Sequence, residues 1–294
     1  MTGAIDAPDS KPTVRRAQIR KRHWLLIIAV ALFVPAFMLI VRFKLYVPDS
    51  LYVAQLLRES GGGARMRYDG PAWLEGICRK YDIGFFDKLI EVDRVFVEHW
   101  VPPARFGDAD LQRLFAIQSL ERIALDDVGV ADHHLAALEN NPNLTSLFLA
   151  APQITSVGWK HISQVAGLRN LGLGWVSIDA AGAAALSDMS DLEGLRLDSC
   201  TFEAEAFPDF AGLVNLKTLQ IHYIAITPAQ VDSIAKLTVL EEIWFVASPL
   251  DDAMLERLTS IRSLKRIDCN HSNVTAEGVS RFQAARPDCE IYAH

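Results

Sequence analysis

Cysteine is scarce in this chain, and the few cysteines follow no metal or redox spacing. Four occur in 294 residues, and none forms a Cys-x-x-Cys pair, so neither a zinc site nor a dithiol redox centre is supported. The sequence also lacks a His-Glu-x-x-His pair, a nucleophile elbow and a dinucleotide-binding fingerprint. We therefore expect a protein that is not an enzyme, with no catalytic residue, no cofactor and no metal.

Two local clusters invite a functional interpretation, and both have a simpler one. Gly61-Gly62-Gly63 lacks the Lys and Ser or Thr of a phosphate loop, and it fits a turn into an alternating strand over 64–68. His133 and His134 follow Asp132, and on a helix adjacent side chains diverge by about 100°. They would need a third group from elsewhere to share one metal, so we interpret them as solvated helix residues.

The most prominent feature of the chain is a repeated pattern of apolar residues. From Leu120 onward, three apolar anchors spaced by two and then one variable residue recur every 24 residues. The first anchors are Leu120, Leu144, Leu168, Leu192, Leu216, Leu240 and Leu264. The second and third anchors are Ile123 and Leu125, Leu147 and Leu149, Leu171 and Leu173, Leu195 and Leu197, Leu219 and Ile221, Ile243 and Phe245, and Ile267 and Cys269. Residues two apart share one face of a strand, so each unit is expected to begin with a strand.

Two further apolar columns complete each unit. The fourth column is Val130, Ile154, Ile178, Phe202, Ile226, Leu250 and Val274, and the fifth is Leu138, Ile162, Leu186, Phe210, Ile234, Leu258 and Phe282. Each unit is therefore expected to form a strand, a turn and a helical segment. One unit cannot bury its own apolar side, so we predict an α/β solenoid whose strands stack about 4.8 Å apart in a parallel sheet backed by helices.

The pattern from about Val92 to the C-terminus resembles the leucine-rich repeat proteins. Within that class it is similar to a bacterial membrane-anchored type with an Ile-Thr-Asp-Ala-Gly-Leu-like stretch, represented here by Ile154–Trp159, Ile178–Gly182 and Val274–Val279. The resemblance implies a sheet on the concave face and helices on the convex face. The polar residue after the apolar one is expected to cap a helix, and 227–230 combines a cap, a first-turn proline and a capping-box glutamine.

One turn position departs from many leucine-rich repeats, which carry Asn eight residues after the first anchor. The column here is Val128, Pro152, Val176, Cys200, Ile224, Ser248 and Ser272. We therefore expect no asparagine ladder but a turn closed by apolar packing, as in the ribonuclease-inhibitor-like subclass. The repeat phase also offsets Cys269 and Cys289 by four residues, about 13 Å along adjacent strands, which is too far for a disulfide.

A charge-free run at 24–41 is long enough to cross a bilayer at about 1.5 Å per residue. It lacks the small residues of a cleavage site, so we expect a transmembrane helix rather than a cleaved signal peptide. Six cations precede it within residues 11–22, against Arg42 and Lys44 after it. This predicts a cytoplasmic tail at 1–23 and an exported C-terminal part. That part holds the chain's acidic excess, which disfavours nucleic acid as a partner.

The apolar residues of 45–91 do not follow the spacing of the repeats. We interpret this range as a juxtamembrane segment and an N-terminal cap over the open end of a repeat domain at 92–294. A similar cap precedes the repeats of the bacterial family. The first repeat is irregular: Val92, Val95 and Val97 are expected at its anchors, with four extra residues in a turn at 100–103. That turn is either a detail of the cap or a binding loop.

Function in a solenoid is expected on the strand face that packing does not use. Large aromatic residues and one arginine occur there, a composition typical of interfaces. The candidate binding residues are Phe148, Trp175, Arg196, His222, Tyr223 and Trp244. Gly172 and Gly174 on the preceding strand are expected to leave Arg196 in a shallow depression. We predict a membrane-anchored, non-catalytic protein-interaction module, the alternatives being a structural envelope organiser without a dedicated partner and a glycan- or peptidoglycan-binding surface.

Overall fold

The computed structural model describes residues 49–59, 62–80, 87–96, 107–203 and 206–293. The expected transmembrane helix at 24–41 and the loop at 100–103 lie outside these ranges. Among the described residues, no helix combines the length and the apolar character needed to cross a membrane.

A ten-stranded sheet runs through the described part of the chain. Its strands, in sheet order, are β1 Gly63–Tyr68, β2 Asp87–Phe96, β3 Arg122–Asp126, β4 Ser146–Ala150, β5 Asn170–Gly174, β7 Gly194–Asp198, β9 Thr218–His222, β10 Glu242–Val246, β11 Arg266–Asp268 and β12 Glu290–Tyr292. The pair β1–β2 is antiparallel and the strands from β2 onward are parallel. Two short strands, β6 Ser177–Ile178 and β8 Thr201–Phe202, form a separate pair in neighbouring turns.

The strand register repeats the period of the sequence. Leu147 lies opposite Leu171, and Leu171 opposite Leu195, so equivalent anchors stack across the sheet. The anchors from Leu120 to Cys269 are at most 2 % exposed and form one continuous core. Of the residues between the second and third anchors, all but the buried Gly172 are partly exposed. The predicted leucine-rich repeat solenoid is confirmed at this level.

The first helix precedes β1, and the others lie between successive strands along the chain. They are α1 Asp49–Glu59, α2 Ala72–Lys80, α3 Asp108–Phe115, α4 Asp132–Leu135, α5 Ser156–Ser163, α6 Ala180–Ser187, α7 Pro228–Ile234, α8 Asp252–Arg257 and α9 Ala276–Ala285. Each of the last five begins at a polar N-cap whose side chain accepts a backbone N–H bond, as the sequence predicted: Thr155, Asp179, Thr227, Asp251 and Thr275. The unit that starts at Leu192 is the exception, because Phe210 lies in a short 3₁₀ turn, Phe210–Gly212.

The predicted register of the irregular first repeat is wrong. Val92 lies opposite Ile123, a second anchor, rather than opposite a first anchor. Leu89, three residues earlier and fully buried, occupies the position equivalent to Leu120. Val95 lies opposite Leu125, so three residues of this strand match two of the next one and the pairing shifts between Val92 and Val95. The prediction had assumed uniform spacing. The predicted strand at 64–68 is present as β1, and its residues alternate between exposed and partly buried.

The turn column is apolar in part, as predicted, but two members act through polar atoms. The Ser248 hydroxyl, fully buried, donates to the Ile221 carbonyl at 3.1 Å and accepts the Ile224 N–H. The Cys200 thiol donates to the Leu173 carbonyl at 3.4 Å. Both therefore bond the backbone of the preceding repeat, as an asparagine would. All four cysteines are buried and free, and Asp268 pairs with Tyr292 in the register that separates Cys269 from Cys289.

Candidate functional site

The open face of the sheet carries four of the six predicted binding residues: Phe148, Arg196, His222 and Trp244. We use this term for the side chains two, four and six residues after each first anchor, opposite the buried anchors. Phe148, Arg196 and Trp244 lie in one cross-strand row, separated by Gly172 on β5 and Gln220 on β9. Three of the six candidates therefore share a row across five neighbouring strands.

The expected depression beside Arg196 is filled by Phe148, which corrects the prediction. A Cβ atom on Gly172 would lie 2.3 Å from Cδ2 of Phe148, so the ring leans over the glycine. The Arg196 guanidinium then lies over that ring, with its Cζ atom 5.6 Å from the centroid. Such cation–aromatic contacts are worth about 0.5–1 kcal/mol at exposed sites. Gly172 is needed here because it lets two side chains from strands on either side meet above it.

Asp198 is a central residue that the sequence interpretation missed. Its Oδ2 accepts a hydrogen bond from Nη2 of Arg196 at 2.7 Å and lies 3.7 Å from Nδ1 of His222. The carboxylate is 13 % exposed, so it is more shielded than a surface ion pair. A usable signal was present in the sequence, since Asp198 is two residues after Arg196 and therefore on the same strand face.

Two polar atoms in this cluster are buried without a hydrogen-bond partner. They are Nε of Arg196 and Nε2 of His222. Burial and the Arg196 charge lower the pKa of His222, against the opposing effects of Asp198 and Asp268, so the imidazole is neutral at neutral pH. Asp198 lies on the Nδ1 side, which favours the proton on that nitrogen and leaves a lone pair on Nε2. The cluster thus holds one free donor and one free acceptor.

Trp175 and Tyr223 occupy strained backbone positions at the ends of β5 and β9. Their φ angles are 48° and 54°, in the left-handed region that bulky residues rarely adopt. The whole column seven residues after each first anchor shares this conformation: Asp127, Ala151, Trp175, Ser199, Tyr223, Ala247 and His271. In six of these seven residues, all but His271, the backbone N–H donates to the carbonyl six residues after the first anchor of the next repeat. Trp175, for example, donates to Asp198 at 2.9 Å.

The two aromatic members of this column are also exposed. Trp175 is 59 % and Tyr223 65 % solvent-accessible, so neither side chain gains much from packing. They lie two strands apart in the sheet order β5–β7–β9, which corresponds to about 10 Å. Their turns are next to the strand ends that carry Asp198 and His222. The predicted candidates therefore lie in one region, although Trp175 and Tyr223 belong to its rim and not to the open face itself.

Comparison with known proteins gives only distant structural likeness. No protein-family profile and no curated protein matches the chain. Internalin C2 from Listeria monocytogenes is 17 % identical with a TM-score of 0.42, covering 63 % of this chain and 74 % of that one. An internalin (inlF) from the same organism is 14 % identical with a TM-score of 0.43, and the alignment covers 63 % of this chain and 50 % of that one. TLR13, in a complex with ssRNA13, is 16 % identical with a TM-score of 0.42, and the alignment covers 63 % of this chain and 31 % of that one.

A second polar cluster lies on the helical side. Oδ1 of Asp108 lies 2.7 Å from Nε2 of His133 and 3.0 Å from Nε2 of His134. The prediction that both histidines are solvated is wrong for His134, which is 2 % exposed. Its Nδ1 accepts the N–H of Ala131 at 3.0 Å, so the side chain turns back under its own helix start. Among the described residues, this is the one group of three side chains arranged to hold a metal.

Proposed function

We propose that this protein is a membrane-anchored, non-catalytic interaction module that binds a protein partner through the open face of its sheet. Residues 24–41 would anchor the chain, and the repeat domain would lie outside the cytoplasm. The contact region consists of Phe148, Arg196, His222 and Trp244 on the face, with Trp175 and Tyr223 on the rim. The repeats would belong to the bacterial ribonuclease-inhibitor-like type, for which the helix in most units is the supporting feature.

The observation that carries this proposal is the strained, exposed pair Trp175 and Tyr223. The same column holds Asp127 and Ser199, and small polar residues adopt the left-handed region at lower free energy. A non-glycine residue in this region costs on the order of 1–2 kcal/mol. Neither aromatic ring recovers that energy by burial. Contact with a partner gives a reason for aromatic residues here, because tyrosine and tryptophan are enriched at interface hot spots.

The polar centre defines what a partner must offer. Nε of Arg196 lacks an acceptor and the lone pair of neutral His222 lacks a donor, and both atoms are buried, so a partner has to move the side chains that cover them in order to pair with them. A polypeptide backbone provides both groups at regular spacing, flanked by side chains that can contact Trp244 and Tyr223. Groups left unpaired in a contact would weaken it by about 1–3 kcal/mol each, so the cluster selects among partners as well as attracting them.

Site-specific photo-cross-linking in native membranes tests the proposal. We would place a photoreactive phenylalanine analogue at Tyr223, with a matched position at Val157 on α5, which is 52 % exposed on the helical side. A protein adduct formed from position 223, absent from position 157 and lost when Arg196→Ala and Trp244→Ala are added, supports the proposal. A glycan adduct would support the carbohydrate-binding alternative, and no adduct at either position would support the envelope organiser.

A further inference from the structure

A cluster outside the open face has the composition of a metal site. Asp108 from α3 meets His133 and His134 from α4, and one ligand atom of each lies within 4.8 Å of the others. Two helices that follow successive strands contribute to it, so a bound ion would bridge adjacent units near the N-terminal end of the solenoid. The cluster is separate from the residues proposed to contact a partner.

The carboxylate is already oriented for this role. Nε2 of Gln112, one helical turn along α3, donates to Oδ2 of Asp108 at 2.9 Å and leaves Oδ1 directed at the two imidazoles. Hydrogen bonds of this kind orient ligands around protein metals. Neighbouring acids have other partners: Asp110 accepts from Tyr52 and from the Gly107 N–H, and Asp132 from Thr155. The cluster therefore presents one carboxylate and two histidines.

The two histidines lie side by side and face the same carboxylate. Their ring centroids lie 3.9 Å apart, and Nε2 of each is within 3.0 Å of Oδ1 of Asp108. Nε2 of His134 is buried and lies 3.0 Å from Oδ1 of Asp108, without a well-aligned hydrogen bond between them. The nitrogen and the carboxylate oxygen therefore face each other across a distance that a shared ion could bridge.

We propose that Asp108, His133 and His134 bind a divalent transition metal of the zinc type. Imidazole and carboxylate are the ligands that Zn²⁺ takes, at about 2.0–2.2 Å, in sets of three with a fourth position for water. The exposed side chains of His133 and Asp108, at 54 % and 62 %, leave that position open to solvent. The ion would connect α3 to α4 and stabilise the first regular repeat against the N-terminal end.

Binding requires a proton to move from Nε2 to Nδ1 within both histidines, since Nε2 of His133 now donates to Asp108. In the present arrangement Nδ1 of His134 accepts the Ala131 N–H, so the ring proton lies on Nε2. A metal at Nε2 needs the lone pair there, and the proton then moves to Nδ1 with loss of the Ala131 bond. No proton leaves the protein in this exchange. The Ala131–His134 and His133–Asp108 hydrogen bonds are both given up when the metal binds, which predicts weaker binding than at a site with the opposite tautomers.

Zinc binding to the full chain in detergent tests the site, with Zn²⁺ chloride as the probe and calorimetry as the measurement. We expect one equivalent to bind the native protein, and at least a tenfold loss of affinity in both His133→Ala and Asp108→Asn. His161→Ala is the matched control, because His161 pairs with Glu139 between the next two helical segments without a third ligand. It should bind zinc like the native protein.

Unchanged zinc affinity in Asp108→Asn or in His133→Ala, or an equal loss in His161→Ala, would overturn the assignment. Circular dichroism of each variant separates loss of a ligand from loss of the fold. If His133→Ala fails to fold, Asp108→Asn decides alone, since it keeps the shape of an exposed side chain. Cobalt substitution gives an independent measurement, because Co²⁺ in a site of this type should develop visible absorption that the two ligand variants lack.

Discussion

Asp252 holds both polar groups of Thr275 in the next repeat. Its two carboxylate oxygens accept the Thr275 backbone N–H at 2.8 Å and the hydroxyl at 2.7 Å. Asp132 and Thr155 make the same pair of contacts five repeats earlier in the chain. The threonine also caps its own helix, so one side chain connects the helix starts of two repeats. These contacts explain why a threonine occupies the second position of the Ile-Thr-Asp-Ala-Gly-Leu-like stretch.

The first prediction concerns the glycine of that stretch. A Cβ on Gly278 would lie 2.1 Å from Oδ1 of Asp252, so Gly278→Ala should force the aspartate away from Thr275. We expect a loss of about 1–3 kcal/mol in the free energy of unfolding, measured by urea denaturation. Gly76→Ala is the control, because nothing lies within 4 Å of its position on an exposed helix. It should leave stability unchanged or raise it by up to about 1 kcal/mol.

The second prediction is a pH effect at the same contact. The hydrogen bond from the Thr275 N–H, followed by that from its hydroxyl, lowers the pKa of Asp252 below its usual 3.8. A carboxyl whose pKa is lower in the folded state stabilises the fold above its unfolded pKa and loses that effect as the pH falls through the folded value. The stability difference between the native protein and Asp252→Asn should therefore be largest above about pH 5 and shrink below about pH 4. A pH-independent difference in urea midpoints would contradict it.

The third prediction compares neighbours on β7. Leu195 and Leu197 are at most 1 % exposed, while the Arg196 side chain is 43 % exposed, as alternation along a strand requires. Leu195→Ala should therefore cost about 2–5 kcal/mol of stability by leaving a cavity. Arg196→Ala should cost clearly less, since its contacts with Asp198 and Phe148 are near the surface. Equal losses in urea denaturation would show that the open face contributes to stability as much as the core does.

The sequence predicted the repeat because its period is uniform and every unit meets the same requirement for burial. From Leu120 onward each anchor has the same neighbours on either side, so spacing alone determines the register. That reasoning failed at Val92, where the strand shifts its pairing between Val92 and Val95. Apolar residues fill both the predicted and the observed anchors there, so composition cannot distinguish the two registers.

The candidate site was less predictable, because its geometry depends on contacts between repeats. The alternation of side chains along a strand predicted that Arg196 lies on the open face. The position of the Phe148 ring over Gly172, however, depends on how two neighbouring strands pack together. The strain at Trp175 and Tyr223 could not be inferred from residue type, since aromatic residues rarely adopt a left-handed conformation. The burial of His134 likewise depends on the Ala131 N–H, which turns the ring inward.

The last prediction separates stability from binding at Tyr223. Asparagine adopts the left-handed region more readily than tyrosine, so Tyr223→Asn should raise the free energy of unfolding by up to about 1 kcal/mol. The lost ring was 65 % exposed, so little packing is given up. Tyr292→Asn is the control: this tyrosine is 40 % exposed, and it lies in β12 and not in the strained column. It should bring no gain in stability.

If the Tyr223 ring contacts a partner, Tyr223→Asn should at the same time reduce the yield of cross-linking from a photoreactive residue at position 175. A variant that is more stable and still cross-links at the native yield would mean that Tyr223 is not a contact residue, whereas a loss of stability would mean that the turn imposes no strain.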